Sequence, residues 1–198
     1  MSATDNKVHY DLTNVFVAAL TIDAETLEVT FGVPKRLPGA ISMDLAAQGE
    51  SVKLRADAMD YYTTTSNNGY AGDLNLAMVP DWFRQEYLGD TLTDTDKVLV
   101  ENSQAEAKPF AMLYEFLGDA KHRRHVLYNS KASRPNIKGE NKDNQKEPDT
   151  ETLALTCLPL PDGKVKASTT AETPQAVYNN WTKTVWVKDT TEASAASE

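Results

Sequence analysis

Cysteine occurs once in this chain of 198 residues and histidine three times. With one cysteine and no CxxC, neither an internal disulfide nor a structural zinc site can hold the fold together. The chain suits a reducing compartment. Long hydrophobic runs are also missing: no apolar stretch approaches the roughly 20 residues that a bilayer demands. Residues 1–11 are polar and lack the basic-then-apolar order of a secretion signal, so neither export by that route nor a membrane span is expected. Positive charge is in the minority, with 20 Lys+Arg against 29 Asp+Glu and a net charge of -9. No long Lys/Arg cluster interrupts that balance, which argues against affinity driven by phosphate neutralisation and against a sequence-reading transcription factor. GxSxG, P-loop and GxGxxG motifs are absent as well, so no catalytic or cofactor motif is present.

What is present is a chain that is 40% hydrophobic and long enough for one domain. Residues 1–13 and 189–198 have the small, polar composition of arms, which leaves 14–188 as the domain. Between the arms, alternation at a period of two predicts strands near 15–22, 27–31, 40–45, 51–56, 58–65, 70–78, 109–117, 126–133, 152–160, 164–169 and 184–188. In the strand from Pro109, Phe110, Met112, Tyr114 and Phe116 share one face, while Ala111, Leu113 and Leu117 make the other face apolar too. So many strands exceed one small sheet and predict a mainly β fold, a two-sheet sandwich or barrel.

One segment has a strong helical pattern, about Asp81 to Leu88. Asp81 is placed to cap the first turn, Trp82, Phe83 and Tyr87 supply apolar packing, and Gly89 supplies a left-handed stop. A weaker helix is expected from Pro174 to about Asn180. Residues 134–150 are rich in Lys, Glu, Asp and Asn, with Ile137 as the single apolar residue, and predict a long solvated loop. Tyr61, Tyr62 and the threonines after them are strand formers, and Asn67, Asn68 and Gly69 accept positive φ. Together they predict a projecting hairpin with its tip at Asn67-Asn68-Gly69, returning through Tyr70.

The chemistry-bearing residues favour bland readings. His122 and His125, three apart on a strand, point to opposite faces and sit among Lys121, Arg123 and Arg124, which repel a cation. A salt bridge from this basic segment to an acidic partner surface is the better reading. Asp90, Asp94 and Asp96 fail as a calcium loop, because Leu99 and Ala105 stand where Gly and a bidentate Glu are needed. Cys157 alternates with Leu153 and Leu155, as a core cysteine does. Trp181 and Trp186, five apart on or beside a strand, should face different sides and pack in the core. No cofactor, metal site or catalytic residue is assigned.

The order of segments resembles a family, the major tail proteins (tail-tube subunits) of long-tailed, non-contractile bacteriophages, or siphophages, of Gram-positive bacteria. The resembling residues are Leu37-Pro38-Gly39-Ala40, the run from Asp60 through Tyr61, Tyr62, Asn67, Asn68, Gly69 and Tyr70 to Leu74, and Val79-Pro80-Asp81-Trp82-Phe83-Arg84. Leu99-Val100-Glu101-Asn102-Ser103, Lys108-Pro109-Phe110-Ala111, Arg123 to Asn129 and Thr150-Glu151-Thr152-Leu153 continue the order across residues 8–161. The resemblance implies a β-sandwich or barrel of the tail-tube type with one short flanking helix. It also implies hexameric rings stacked into a hollow tube that conducts DNA into the host during ejection. The implied partners are other copies of the chain, a tape-measure protein, tail-tip or baseplate proteins and a tail terminator, with DNA only in passage and no membrane. The implied place is the virion, after assembly in the host bacterial cytoplasm.

Physical reasoning adds candidate contacts. Tyr61, Tyr62, Asn67, Asn68, Gly69 and Tyr70 of the hairpin, with Arg134, Lys138 and Lys142 of the long loop, are the expected inter-ring or inter-subunit residues. The net charge of -9 has two readings: part of it faces the lumen, where carboxylates would repel DNA phosphate, or the acidic residues keep the outer surface soluble. The competing readings are a monomeric β-sandwich accessory module binding carbohydrate through Trp181, Trp186 or the tyrosines, and a hydrolase with dispersed carboxylates.

Overall fold

The computed structural model describes residues 5–139 and 148–188. Its centre is the pair β1 (His9–Ile22) and β10 (Phe110–Gly118), antiparallel with Val17 opposite Met112 and Ala19 opposite Phe110. Phe110, Met112 and Tyr114 enter one apolar cluster while Ala111 and Leu113 enter a second on the other face. The alternation in β10 therefore has the double burial expected of it, since both parities are apolar. The mainly β expectation holds.

Further strands extend this pair into a nine-stranded antiparallel sheet, in the order β2 (Val29–Phe31), β1, β10, β11 (Arg123–Ala132), β12 (Glu151–Leu158), β7 (Gly69–Leu76), β4 (Ala40–Gln48). β3 (Lys35–Arg36) adds to β1, and β13 (Lys166–Ser168) adds to β11. The sheet curls so that Ala40, Met43 and Leu45 of β4 pack on the same cluster as Val15 and Val17 of β1. Among the described residues no hydrogen bonds close it into a barrel. Two hairpins stand apart from the sheet, β5 (Ser51–Ala56) with β6 (Met59–Thr65), and β8 (Thr91–Leu92) with β9 (Leu99–Val100).

A short helical element seals the first cluster. It begins as α1 (Asp81–Phe83) and continues as a π-helical turn, Arg84–Leu88, before Gly89 ends it at φ 83°. Phe83 and Tyr87 are buried, and the Tyr87 ring lies 5.0 Å from both the Phe83 and the Phe110 rings. Trp82 is half-buried, with the Lys35 ammonium 3.8 Å above its ring. Asp81 is not the cap expected of it. Pro80 occupies the N-cap position, and its carbonyl accepts from Phe83 N and Arg84 N, so the Asp81 side chain falls inside the first turn and makes no capping bond. An Arg84–Glu151 ion pair at 2.7 Å, with the Val79 amide donating to the same carboxylate, ties the element to the start of β12.

The second cluster is covered by the C-terminal segment, including α2 (Gln175–Asn180), with Trp181 buried against Ala18, Leu113, Val126 and Tyr128. Residues 184–188 form no strand among the described residues; Val185 and Val187 pack on this cluster instead. At the other end, described residues of the expected arm pack on the sheet, beginning with Asn6. Its side chain accepts from Ala120 N and Lys121 N, and His9 already pairs with Gly118. The expected tail at 189–198 lies outside the described residues.

The fold predicts its own weak point. Phe83→Ala removes the ring that joins α1 to the first cluster and should destabilise the domain by about 3–5 kcal/mol, measured by denaturant unfolding. A loss under about 1 kcal/mol would show that the helix is not part of the core.

Candidate functional site: an unpartnered hairpin and an open sheet face

The projecting hairpin exists, with a different tip. β5 and β6 pair from Ser51 opposite Thr65 to Ala56 opposite Met59, and the turn is Asp57-Ala58, with φ 51° and 65°. Two consecutive residues at positive φ make the turn type that suits a right-twisted hairpin. Asn67, Asn68 and Gly69, expected at the tip, lie at the base instead. Asn68 N donates to Gln48 O, Asn67 Oδ1 accepts from Gly69 N, and Ser66 and Glu50 bond each other. Gly69 opens β7 at φ 97°, where a Cβ would meet the Cys157 carbonyl oxygen. Tyr70 likewise belongs to the sheet: it is half-buried against the first cluster, and its hydroxyl accepts from Lys166 Nζ at 3.2 Å.

The hairpin is two-faced. Val52 opposite Thr64, Leu54 opposite Tyr62 and Ala56 opposite Met59 put apolar side chains on one face. A one-residue bulge at Tyr61 precedes the Arg55–Asp60 pair, and Lys53 and Arg55 meet the Asp60 carboxylate at 3.0 and 3.6 Å on the other face. Val52, Leu54, Met59 and Tyr62 are 59%, 58%, 61% and 59% exposed, and Tyr61 70%. No described residue of either apolar cluster packs on this stripe, and exposed apolar surface of this kind is what a partner covers.

The second feature is the outer face of β12, β7 and β4. Their inward residues, Leu153, Leu155, Leu74, Leu76, Met43 and Leu45, belong to the first cluster. The outward rows run Thr152, Asn75, Ser42, then Ala154, Asp73, Asp44, then Thr156, Ala71, Ala46. These side chains are small, polar or acidic, and none of the nine is Lys or Arg. Asp73 and Asp44 are exposed and directly opposite, a like-charge pairing that costs stability in a sheet. Among the described residues β4 is the terminal strand of the sheet, with β7 on one side only.

The remaining candidates fare differently. Arg134 is engaged within its own subunit, donating to Asn102 O at 2.6 Å and lying 3.2 Å from Glu101. Lys138 is exposed. Lys142 lies outside the described residues. The basic segment also finds its acid at home: Glu115, 3% exposed, accepts from Arg124 Nε at 2.8 Å and lies 2.7 Å from His122 Nδ1. Burial of that carboxylate demands these partners, so it takes the bridge expected of a neighbouring subunit. Arg124 also lies 3.9 Å over the Tyr178 ring and donates to the Tyr178 carbonyl, which clasps α2 to β11. Cys157 is buried, accepting from Ser130 Oγ at 3.2 Å, and burial pushes its thiol pKa up. Trp181 and Trp186 do not face apart. Their rings stack at 5.8 Å and 13°, because a turn at Asn180–Thr184 folds the chain back before Trp186.

No family model matches the chain, and no curated protein matches it. Among solved structures, the tube-terminating cap of the anti-feeding prophage, determined by cryo-EM, superposes with a TM-score of 0.46 at 10% identity. The match covers 86% of this chain and 98% of that chain.

The basic segment yields a pH prediction. His125 stacks on Tyr114 at 5.0 Å and 10°, and its Nδ1 is buried with no hydrogen-bond partner among the described residues. Burial first, then the charges of Arg123, Lys166 and His9, lower its pKa from 6.5 to about 4. A depressed folded-state pKa means that the unfolded chain binds the proton more readily. The contribution to stability is therefore full above pH 6.5 and is lost as pH falls toward 4. The melting temperature should drop across that window, and His125→Phe should flatten part of the drop; an identical profile in the variant would refute the assignment.

Proposed function

We propose that the chain is a structural, non-catalytic tail-tube subunit of a siphophage, closing into hexameric rings that stack into a DNA-conducting tube. The observation that supports this best is the hairpin, whose apolar stripe stands exposed with no partner among the described residues. A contact between that stripe and a different surface of the next copy is heterologous, and such contacts propagate until something caps them. A stacked tube has this property, and the tape-measure, tail-tip or baseplate and terminator proteins of the resembling family would start it, set its length and end it. The place of action is the virion, after assembly in the host cytoplasm.

On this reading Tyr61 and Tyr62 are the ring-to-ring anchors, with Val52, Leu54 and Met59 beside them. Asn67, Asn68 and Gly69 hold the hairpin's base at a fixed angle to the sheet, and Tyr70 packs beneath it. The face of β12, β7 and β4 suits the lumen: small side chains leave the bore smooth, and the Asp44–Asp73 pairs repel passing phosphate. The edge of β4, unpaired among the described residues, is available to continue the sheet into a neighbour.

Two experiments test this. Tyr62→Ala should leave the isolated subunit's melting temperature within about 2 °C, because the side chain is exposed. Tube yield, scored by electron microscopy of concentrated protein, should fall at least about tenfold; full yield removes the hairpin assignment. In the second, the double variant Asp44→Lys, Asp73→Lys should still assemble. Its isolated tubes should retain duplex DNA at low salt and release it as salt rises, whereas wild-type tubes retain none. Equal DNA behaviour in the two would place that face away from the lumen.

A further inference from the structure

The stack of Trp181 on Trp186 builds a site that the tube reading does not use. The two indoles, with Ala176, Val177, Asn180 and Thr184, line a cavity of about 260 Å³ on the C-terminal segment. Trp181 is 3% exposed and Trp186 36% exposed, so a buried ring backs a solvent-reaching one and fixes its orientation. Tyr128 Oη donates to the Trp186 carbonyl at 3.0 Å, and Trp181 Nε1 donates to His125 O at 3.4 Å, which hold both residues to β11.

The lining identifies the kind of ligand. A quarter of the chain is charged, yet none of the six lining residues is Asp, Glu, Lys or Arg. An ion, a nucleotide or a phosphorylated group would find no counter-charge there. The polar groups are the Asn180 amide and the Thr184 hydroxyl, both exposed and with no side-chain hydrogen bond among the described residues. An apolar wall of indole beside an uncommitted amide and hydroxyl matches a molecule with one C–H face and a rim of hydroxyls. We infer that this cavity is a binding site for a neutral pyranose ring, stacked on Trp186 and hydrogen-bonded by Asn180 and Thr184. The volume suits one sugar unit, the terminal residue or one link of a surface glycan. The site lies within a single subunit, so it stands whether or not the tube reading does.

The test is titration of the full chain with neutral hexoses, N-acetylhexosamines and their short oligomers, followed by tryptophan fluorescence. A saturable change at a dissociation constant on the order of 1 mM is expected for at least one of them, as for a small ligand held by one aromatic face. Trp186→Ala should abolish it. Because that variant also loses packing, Asn180→Ala and Thr184→Ala, both at exposed positions, provide the second readout and should each weaken binding about threefold to tenfold. Absence of saturation with every sugar, or binding undiminished in all three variants, overturns the inference. So does a loss of self-association in Trp186→Ala without any sugar effect, which would assign the cavity to a second copy of the chain.

Discussion

Everything in this fold depends on a strand that is buried on both sides. Because Phe110, Met112 and Tyr114 alternate with Ala111 and Leu113, β10 exposes apolar surface whichever way it faces. Each face therefore needs its own cover. On one side the sheet supplies it, curling β7 and β4 over β1 and adding the aromatic plug of Phe83 and Tyr87. On the other side a C-terminal segment with little regular structure is drawn across Val126 and Tyr128, clasped by Arg124 and stacked through its two tryptophans. Glu115 belongs to the same logic: a carboxylate at 3% exposure can remain there only because Arg124 and His122 answer it.

Once both faces of the centre are closed, the outlying parts are free to serve a neighbour. The hairpin of β5 and β6 contributes nothing to either cluster, yet it keeps an apolar face. The outer face of β12, β7 and β4 likewise accepts a like-charge pair that packing would never require. Features that cost a single subunit something and return nothing within it are those most economically explained by assembly. The tail-tube proposal accounts for both with one geometry, the apolar stripe turned toward the next ring and the acidic face toward the bore. The proposed sugar site belongs to a third region, the C-terminal cover, which gains its indole platform as a by-product of sealing the second cluster.

Much of the fold was legible from periodicity. The strands at 51–56, 110–118 and 151–158, the helix near Phe83, the stop at Gly89 and the burial of Cys157 all follow from local pattern. The hairpin was legible in its strands and not in its turn. Asn67-Asn68-Gly69 carries the stronger turn chemistry, but Asp57-Ala58 sits at the centre of the pairing, and register outweighs the intrinsic preference of two residues. Asp81 missed the cap by one position because Pro80, at an extended ψ of 145°, is the residue that stands outside the helix. The acid for the basic segment could not be read locally either, since Glu115 faces Arg124 only through the β10–β11 register.

The sequence by itself determined what is periodic or compositional: a β-rich domain, an acidic balance, one structural cysteine, and a set of aromatic and small polar residues in a recognisable order. Tertiary structure alone decided which residues of one parity meet a core and which meet solvent. It also decided that Asp44 would oppose Asp73 and that Trp186 would fold back onto Trp181. The reason is that period two specifies two faces without saying what covers them. Pairing, turn direction and the curl of a sheet are set by contacts between residues far apart in the chain.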